Sequence, residues 1–573
     1  MKLDLTGNSP INQQYVSWLN QIATELRSPY TDLIRKLSEK NQGAIDWWVT
    51  PMASRNPYSC SLFLQICYLF LTLRIVEHKH PLEEVRVNSY ALAVTLKKLL
   101  SSLHPQIRIT HPQKAMMIIR SFTAFLRGFF ASLYHTGNQY LFSKLFQNTS
   151  RPLSGNPIVL IDTFVYANSF SGEARDRHFT GLLDFIDDED KKEIFFTPTF
   201  YKIRNYANLF KKIRMSKTNF LLKEDFLRLK DYVFALTHCL RAVGVTIPPS
   251  TLRGIDVTPL VREIYHESIC SSSSIEGLLK YRFARRLSET KVSIRLIIDW
   301  FENQEIDHGA NAGFRKYYPG TMIVGYQGYI VPKHYLCTYP AAYEEEHRVI
   351  PHQIAVVGKG LMEPAKEFYP HLNVVTAPAF RFQEVWRERK YLPDNKYFTI
   401  LVSLPILFKE CNDILNVLYD ALRHPKIQGS SRHGYRFWIK HHPANTTAKI
   451  KKNFGKLWPK DFEFVSGSFH DLLEQSGLLI SISSSTCVES LSKGVPVIVL
   501  GSLSGLTQNP IPSQITQDIW TLCYAAEDVV TAIIKYSTLD KVAHARHQAV
   551  GAIIRKSYFE PITKKKVKQF LCL

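Results

Sequence analysis

Short apolar runs alternate along the chain with longer amphipathic stretches, and that alternation predicts strands that cross to helices and back. "NPIVLIDTFV" (156–165) is a continuous apolar run closed by Asp162 and Thr163, which is how a strand covered on both faces reads. "EIFFTPTF" (193–200), "VSIRLIIDWFENQ" (292–304) and "GTMIVGYQGYIVP" (320–332) repeat the form, with amphipathic segments such as "LKEDFLRLKDYVFALTHCLRAV" (222–243) between them. A polar region containing "YEEEHRVIPHQ" (343–353) reads as a linker. Beyond it the same order restarts with "QIAVVGKG", "NVVTAP", "YFTILVSLP", "YRFWIKHHP", "FEFVSG", "GLLISISSST" and "GVPVIVLG". Strand, helix, strand is the order of an α/β layer with crossover connections.

The expected fold is therefore α/β, two Rossmann-like domains facing a cleft, with a polar helical extension at the N-terminus. The expected boundaries are 1–55 for the extension, which "TPMASRNPYS" ends with two prolines, 56–340 for the first domain, 341–545 for the second and 546–573 for a basic tail. A chain of 573 residues is too long for one core, which agrees with this division.

Composition narrows the classes. At 45% hydrophobic and 21% charged the chain is globular. A formal net charge of +21 concentrates polyanions, acidic lipid or nucleotide phosphate near the surface. The nine cysteines are scattered and never spaced as CxxC, which argues against a zinc site or a disulfide framework and for a reduced, cytoplasmic compartment. The first residues show no secretory signal, and no nucleic-acid-binding pattern accompanies the charge.

The longest apolar stretches, 60–76 and "AMMIIRSFTAFLRGFFASLYH" (115–135), lack the twenty or so uncharged residues needed to cross a bilayer. The second is expected to be a buried helix with Arg120 and Arg127 snorkelling from one face. Contact with an anionic inner-membrane surface is the alternative.

In an open parallel sheet, ligands bind beyond the carboxyl ends of the strands. The candidates there are Gly358, Ser403, Lys440 with His442 and Pro443, and the run Ser483, Ser484, Ser485, Thr486, which opens a short helix carrying Glu489. Hydroxyls and free N–H groups at a helix start favour an anion. Lys440 lies two residues before His442 and so on the same side of its strand, and the pair would set one positive and one titratable donor beside a phosphate. Such a histidine can assist a departing phosphate as acid or hydrogen-bond donor.

"IKHHP" followed by "ISSSTCVESLSKGVPVIVL" looks like the C-terminal half of bacterial surface-polysaccharide glycosyltransferases of GT-B architecture, especially those with paired HP and SS/ST motifs. In the N-terminal half, "IDTFVYANSF", "FTPTFY", "WFENQ" and "GYQGYI" are similar to surface carbohydrate biosynthesis proteins encoded with capsule or O-antigen genes. The resemblance implies that His442, Pro443, Ser484, Ser485 and Thr486 hold the phosphate and cytidine of a CMP-activated sugar. The acidic-acidic-glycine motif that supplies a base in several such families is not evident. Nor is a DxD that would hold a divalent metal against a diphosphate, so the expected chemistry needs no metal and no cofactor beyond the nucleotide-sugar donor.

The first domain must then hold the acceptor and its base. Glu302, beside Asn303 and Gln304, ends one strand, and Tyr326 with Gln327 ends the next. Glu302 is the expected base, since a carboxylate partly desolvated in a cleft becomes more basic; Asp162 and Asp176 follow it. Arg175, Arg177 and His178 in "GEARDRHFTGLL" are placed to grip an anionic acceptor, with Gln304 and Gln327 as further substrate contacts. The expectation is a cytoplasmic glycosyltransferase, peripheral to the inner membrane, that passes a CMP-activated acidic sugar to a surface polysaccharide or its lipid-linked precursor. The alternatives are a CDP-glycerol-type polyol-phosphate transferase and a noncatalytic partner in polysaccharide assembly.

Overall fold

Leu3 and Leu5 alternate with polar neighbours at the start of the chain, and the period of two makes a strand of what was expected to be purely helical extension. The computed structural model describes residues 1–101, 104–147, 155–166, 176–388, 397–428 and 434–573. Strand β1 (Lys2–Asp4) pairs in parallel with β2 (Glu84–Arg86), and β2 with β3 (Arg108–Thr110), so that Leu3, Val85 and Ile109 line up across a small sheet. Helix α1 (Gln13–Lys40) supplies the expected helical part and buries Leu19, Leu26, Ile34 and Leu37. The apolar stretch at 60–76 is the buried helix Leu62–Glu77.

Helix α2 (Lys114–Leu145) corrects the expectation of a buried helix at 115–135. Its buried residues are Met117, Ser132, Thr136, Gln139 and Ser143, whereas Ile118, Ile119, Phe122, Phe130 and Leu133 are exposed. Periodicity shows that a helix has an apolar side and not which side meets the rest of the protein.

The first large sheet is built from β4 (Ile158–Tyr166), β5 (Ile194–Tyr201), β8 (Ile294–Trp300), β9 (Met322–Gln327), β10 (Gln353–Val356) and β11 (Val374–Thr376); a two-strand hairpin of β6 (Thr251–Leu252) and β7 (Ile255–Asp256) stands apart. Its order is β11-β10-β9-β8-β4-β5 and every pair is parallel. The boundary expected at 341 is therefore misplaced, because "QIAVVGKG" and "NVVTAP" are the outer strands of the first sheet. The supposed linker contains the short helix Ala342–Glu346. Its Glu344 is fully buried against the equally buried Arg55, with both carboxylate oxygens 2.9 Å from one guanidinium nitrogen.

Helices α3 (Ser272–Glu289) and α4 (Glu305–Tyr317) cover one face of this sheet in backbone contact. A Cβ on Gly277 would lie 2.4 Å from the Glu305 carbonyl oxygen, and one on Gly309 2.2 Å from that of Gly277. Only glycine permits so close a crossing.

The second sheet contains β12 (Tyr397–Ser403), β13 (Gly434–Lys440), β14 (Phe462–Phe464), β15 (Leu478–Ser481), β16 (Val497–Leu500) and β17 (Trp520–Cys523), in the order β14-β13-β12-β15-β16-β17 and again wholly parallel. Helix α5 (Phe408–Leu422) follows β12, and α6 (Thr486–Ser492) follows β15. The expected tail at 546–573 is a packed return strap. It comprises most of α7 (Lys541–Tyr558) and all of α8 (Lys564–Phe570). The strap crosses back to the first unit, where the Glu560 N–H donates to the Val357 carbonyl (2.6 Å), Phe570 packs on Tyr326, and Lys564 and Lys568 pair with Asp187. Two parallel α/β units with a cleft between them make the GT-B-like arrangement that the strand pattern predicts.

Candidate active site

Both sheets have a topological switch point, where successive strands leave in opposite directions and a crevice opens beyond the carboxyl ends. In the first sheet it falls between β4 and β8, in the second between β12 and β15. The residues just beyond these strands are Glu302 on one side, and Ser403 with Ser483 on the other.

The Glu302 loop is built rigidly. Asn303 has φ +54°, a left-handed conformation that costs a non-glycine residue energy unless its surroundings enforce it. Its side-chain amide donates to the Cys337 carbonyl (2.8 Å) and to Glu344 (3.1 Å), and its oxygen meets His308 Nε2 at 2.9 Å. Asp307, in the first turn of α4, accepts the backbone N–H groups of Glu302 and Gln304. Glu302 itself receives Trp300 Nε1–H at 3.0 Å and Gln304 Nε2–H at 2.6 Å. Burial holds its carboxyl above the usual carboxylate range, against opposing contributions from the Trp300 hydrogen bond and the Arg381 charge. Gln304 also donates to the Tyr335 hydroxyl, so it orients Glu302 and does not reach freely for substrate. Gln327 is likewise committed, to the Thr338 carbonyl at 2.7 Å.

The other two candidate bases are engaged elsewhere. Strand β4 continues to Tyr166, four residues beyond Asp162, so Asp162 lies mid-strand and not at its end. It is buried under α3 with Oδ1 2.6 Å from Lys280 Nζ, beside Asp299 and Asp307. Asp176 accepts the Thr163 hydroxyl (2.6 Å) and the backbone N–H groups of His178 and Phe179, which fixes the loop that carries Arg177. Arg175 lies outside the described residues.

His178, expected with Arg175 and Arg177 to grip an anionic acceptor, is instead buried against Trp300, the residue that holds Glu302. Its ring lies edge-on to Trp300 with centroids 4.2 Å apart and over Tyr166 at 6.0 Å. Burial, with the charges of Arg381 and Arg177, pushes its pKa down to about 3, so it is a neutral imidazole near pH 7.

On the opposite wall, β12 and β13 end level with each other at Ser403 and Lys440, and the Ser481 hydroxyl donates to the Ser403 carbonyl. His442 and Ser483 each lie two residues past their strands and two strand positions apart, about 10 Å. Lys440 Nζ is bound to the Gly467 carbonyl at 2.6 Å, so the expected positive partner of His442 is occupied. The positive charge arrives from the first unit instead. Burial, together with the charges of Arg177, Lys202 and Arg381, pushes the His442 pKa down to about 4. All three are exposed and make no ion pair among the described residues. His442 Nδ1 accepts the Ala444 N–H at 3.1 Å, which fixes the neutral tautomer with its proton on Nε2.

The serine run is partly internal. Ser484 accepts the Thr486 N–H, Ser485 reaches Glu489 at 3.5 Å, and Glu489 pairs with His470. Thr486 Oγ1 is buried without a partner among the described residues. Ser483 donates to Glu410 at 3.3 Å, and burial pushes that carboxyl up to about 7. Gly358 is not a ligand glycine. It sits under Tyr558, whose backbone carbon would be 2.3 Å from an added Cβ.

Beside these residues a cavity of about 710 Å³ is lined by Tyr58, Met117, Arg120, Glu410, Ile482 and Ser502 among others. Tyr58 packs edge-on to Tyr335.

No protein-family model matches the chain, and no curated protein matches it. Among solved structures it is similar to a protein assigned as a UDP-N-acetylglucosamine 2-epimerase from Listeria monocytogenes, at 11% identity and TM-score 0.41 over 73% of this chain and 95% of the other. It is also similar to MnaA of S. aureus in complex with UDP, at 11% and 0.42 over 73% and 98%, and to an α,α-trehalose 6-phosphate synthase from Burkholderia multivorans, at 9% and 0.40 over 73% and 95%. The fold assignment rests on the strand order described above.

Proposed function

We propose that the protein transfers a sugar from a nucleotide-activated donor, a CMP-linked acidic sugar, to a surface polysaccharide or its lipid-linked precursor at the cytoplasmic face of the inner membrane. The observation that carries this reading is that Arg177, Lys202 and Arg381 of one unit lie within electrostatic reach of His442 of the other, where their charges lower its pKa. Three cations that make no ion pair among the described residues, and an Nε2–H donor, suit a phosphate that must be held and then released as a leaving group.

In this reading His442 donates its Nε2 hydrogen bond to the departing phosphate, while the surrounding cations stabilise the negative charge that develops there. Glu302 takes the proton from the acceptor hydroxyl. Its raised pKa fits that task, because a more basic carboxylate removes a hydroxyl proton more readily. Gln304 and Trp300 hold both carboxylate oxygens in place and leave their remaining lone pairs for the acceptor. Ser403, Pro443 and Ser483 to Thr486 form the nucleoside side of the cleft. The Arg and Lys charges supply what a divalent cation supplies elsewhere, so transfer proceeds without a metal.

Calorimetric titration of CMP, CDP, UDP and GDP into the wild-type protein and Arg381→Ala tests this reading. CMP binding that weakens about 10- to 100-fold in the variant, the loss expected for a charge-assisted hydrogen bond, supports it. Equal affinity in both proteins removes the phosphate site. Transfer of labelled glycerol phosphate from CDP-glycerol would replace the sugar donor with a polyol phosphate.

A further inference from the structure

Helix α2 is amphipathic in the wrong sense for a core helix. Ser132, Thr136, Gln139 and Ser143 face the protein, where Gln139 meets Lys223 and the neighbouring His135 meets the Tyr206 hydroxyl. The opposite face is apolar and open, with Ile119 63%, Phe130 60% and Leu145 64% exposed. In water this arrangement loses the stabilisation of burying an apolar stripe and uses polar groups where a core would use leucine. Leu229 and Val233 are also exposed, on helix Leu229–Leu236, which packs against α2 through the Tyr140–Tyr232 ring contact.

The charges on α2 are all of one sign. Lys114, Arg120, Arg127 and Lys144 occur along it, with no acidic residue between 114 and 145. Two copies stacked through this face would oppose cation to cation, whereas an anionic lipid surface would match it. The helix does not stand clear of the protein as a spanning segment would: its polar side is docked along its second half. By length and composition the helix could cross a bilayer, but its docked polar side suits it to lie along the surface.

We propose that the outer face of α2 lies in the headgroup layer of an anionic bilayer, parallel to its plane, with Ile119, Phe122, Phe130, Leu133 and Leu141 inserted among the acyl chains. The inference stands on this helix and not on the identity of the donor. It also gives the cleft an orientation. Met117 and Arg120 line the cavity that holds Tyr58 and Glu410, so a substrate anchored in the same leaflet would reach the cavity along α2.

The test is flotation of the full chain with phosphatidylcholine vesicles, with and without about 30% phosphatidylglycerol. The wild-type protein is expected to float with the anionic vesicles and to be released by salt. The triple variant Ile119→Ser, Phe130→Ser, Leu133→Ser should lose about tenfold or more in partitioning. Because these side chains are largely exposed, its circular dichroism and melting temperature should match wild type. A second variant, Arg127→Gln with Lys144→Gln, should reduce the preference for anionic vesicles while keeping the fold. Wild-type protein that stays with the unbound fraction, a triple variant that floats equally well, or a wild-type dimer that the triple variant converts to monomer would each overturn the proposal.

Discussion

Asp307 accepts the backbone N–H of Glu302 at 3.1 Å, so a residue on the helix that follows sets the position of the candidate base on the strand end before it. Asp307→Ala should leave that loop without its anchor. Sugar transfer is expected to fall about 10²-fold, the scale of losing a positioned base, while CMP affinity stays near wild type. Steady-state kinetics beside calorimetry separate the two effects; a parallel loss of nucleotide binding would mean that the loop shapes the donor site instead.

Glu302→Gln retains the volume and one of the two accepted hydrogen bonds, from Trp300 or Gln304, but cannot accept a proton. Its kcat is expected to drop about 10²- to 10⁴-fold with little change in KM. Activity within about twofold of wild type would assign deprotonation to another group, of which Glu410 is the best placed.

His442→Ala should abolish turnover and weaken CMP binding only modestly, because its neutral Nε2–H contributes most as charge develops on the leaving phosphate. Thermal-shift titration with CMP and a product assay measure the two quantities. Full turnover in this variant would take His442 out of the mechanism.

His178 links stability to pH. Its folded pKa is depressed to about 3, and an exposed histidine titrates near 6.5. Between these values the unfolded chain binds the extra proton, so stability is complete above about pH 6.5 and declines as the pH falls toward 3. In His178→Gln this contribution disappears. The denaturation midpoint of the variant should then depend less steeply on pH between about 6.5 and 4 than that of wild type.

Gly309→Ala places a methyl group against the backbone of Gly277 on α3. The two helices must separate, at a cost of about 1–3 kcal/mol or more. Because α4 also carries Asp307, the damage should extend to transfer activity. Urea denaturation measures the first effect, and an unchanged midpoint would show that the helices part freely.

Much of the strand framework could be read along the chain. Strands such as β4, β8, β12 and β15 are covered on both faces, so their apolar runs are continuous and local. His442, Ser403 and Glu302 were legible for the same reason: each follows directly on such a run. The extent of β4 was not, because Asp162 and Thr163 look like a strand end unless Lys280, 118 residues away, is known to neutralise the aspartate in place. The domain boundary failed similarly. "YEEEHRVIPHQ" is as charged as a linker, yet Glu344 is buried because Arg55 reaches it from a remote part of the chain.

The sequence by itself determined the α/β class, the two-unit plan and the strand-end positions of Glu302, Ser403 and His442, since all of these follow from the local order of apolar and polar positions. Tertiary structure alone decided the company those residues keep. It put Arg177, Lys202 and Arg381 within electrostatic reach of His442, committed Lys440 to Gly467, turned the basic tail into a strap across the first unit, and faced the apolar side of α2 outward. Charge and burial act through space, and groups hundreds of residues apart in the chain become neighbours only when the sheets and helices have packed.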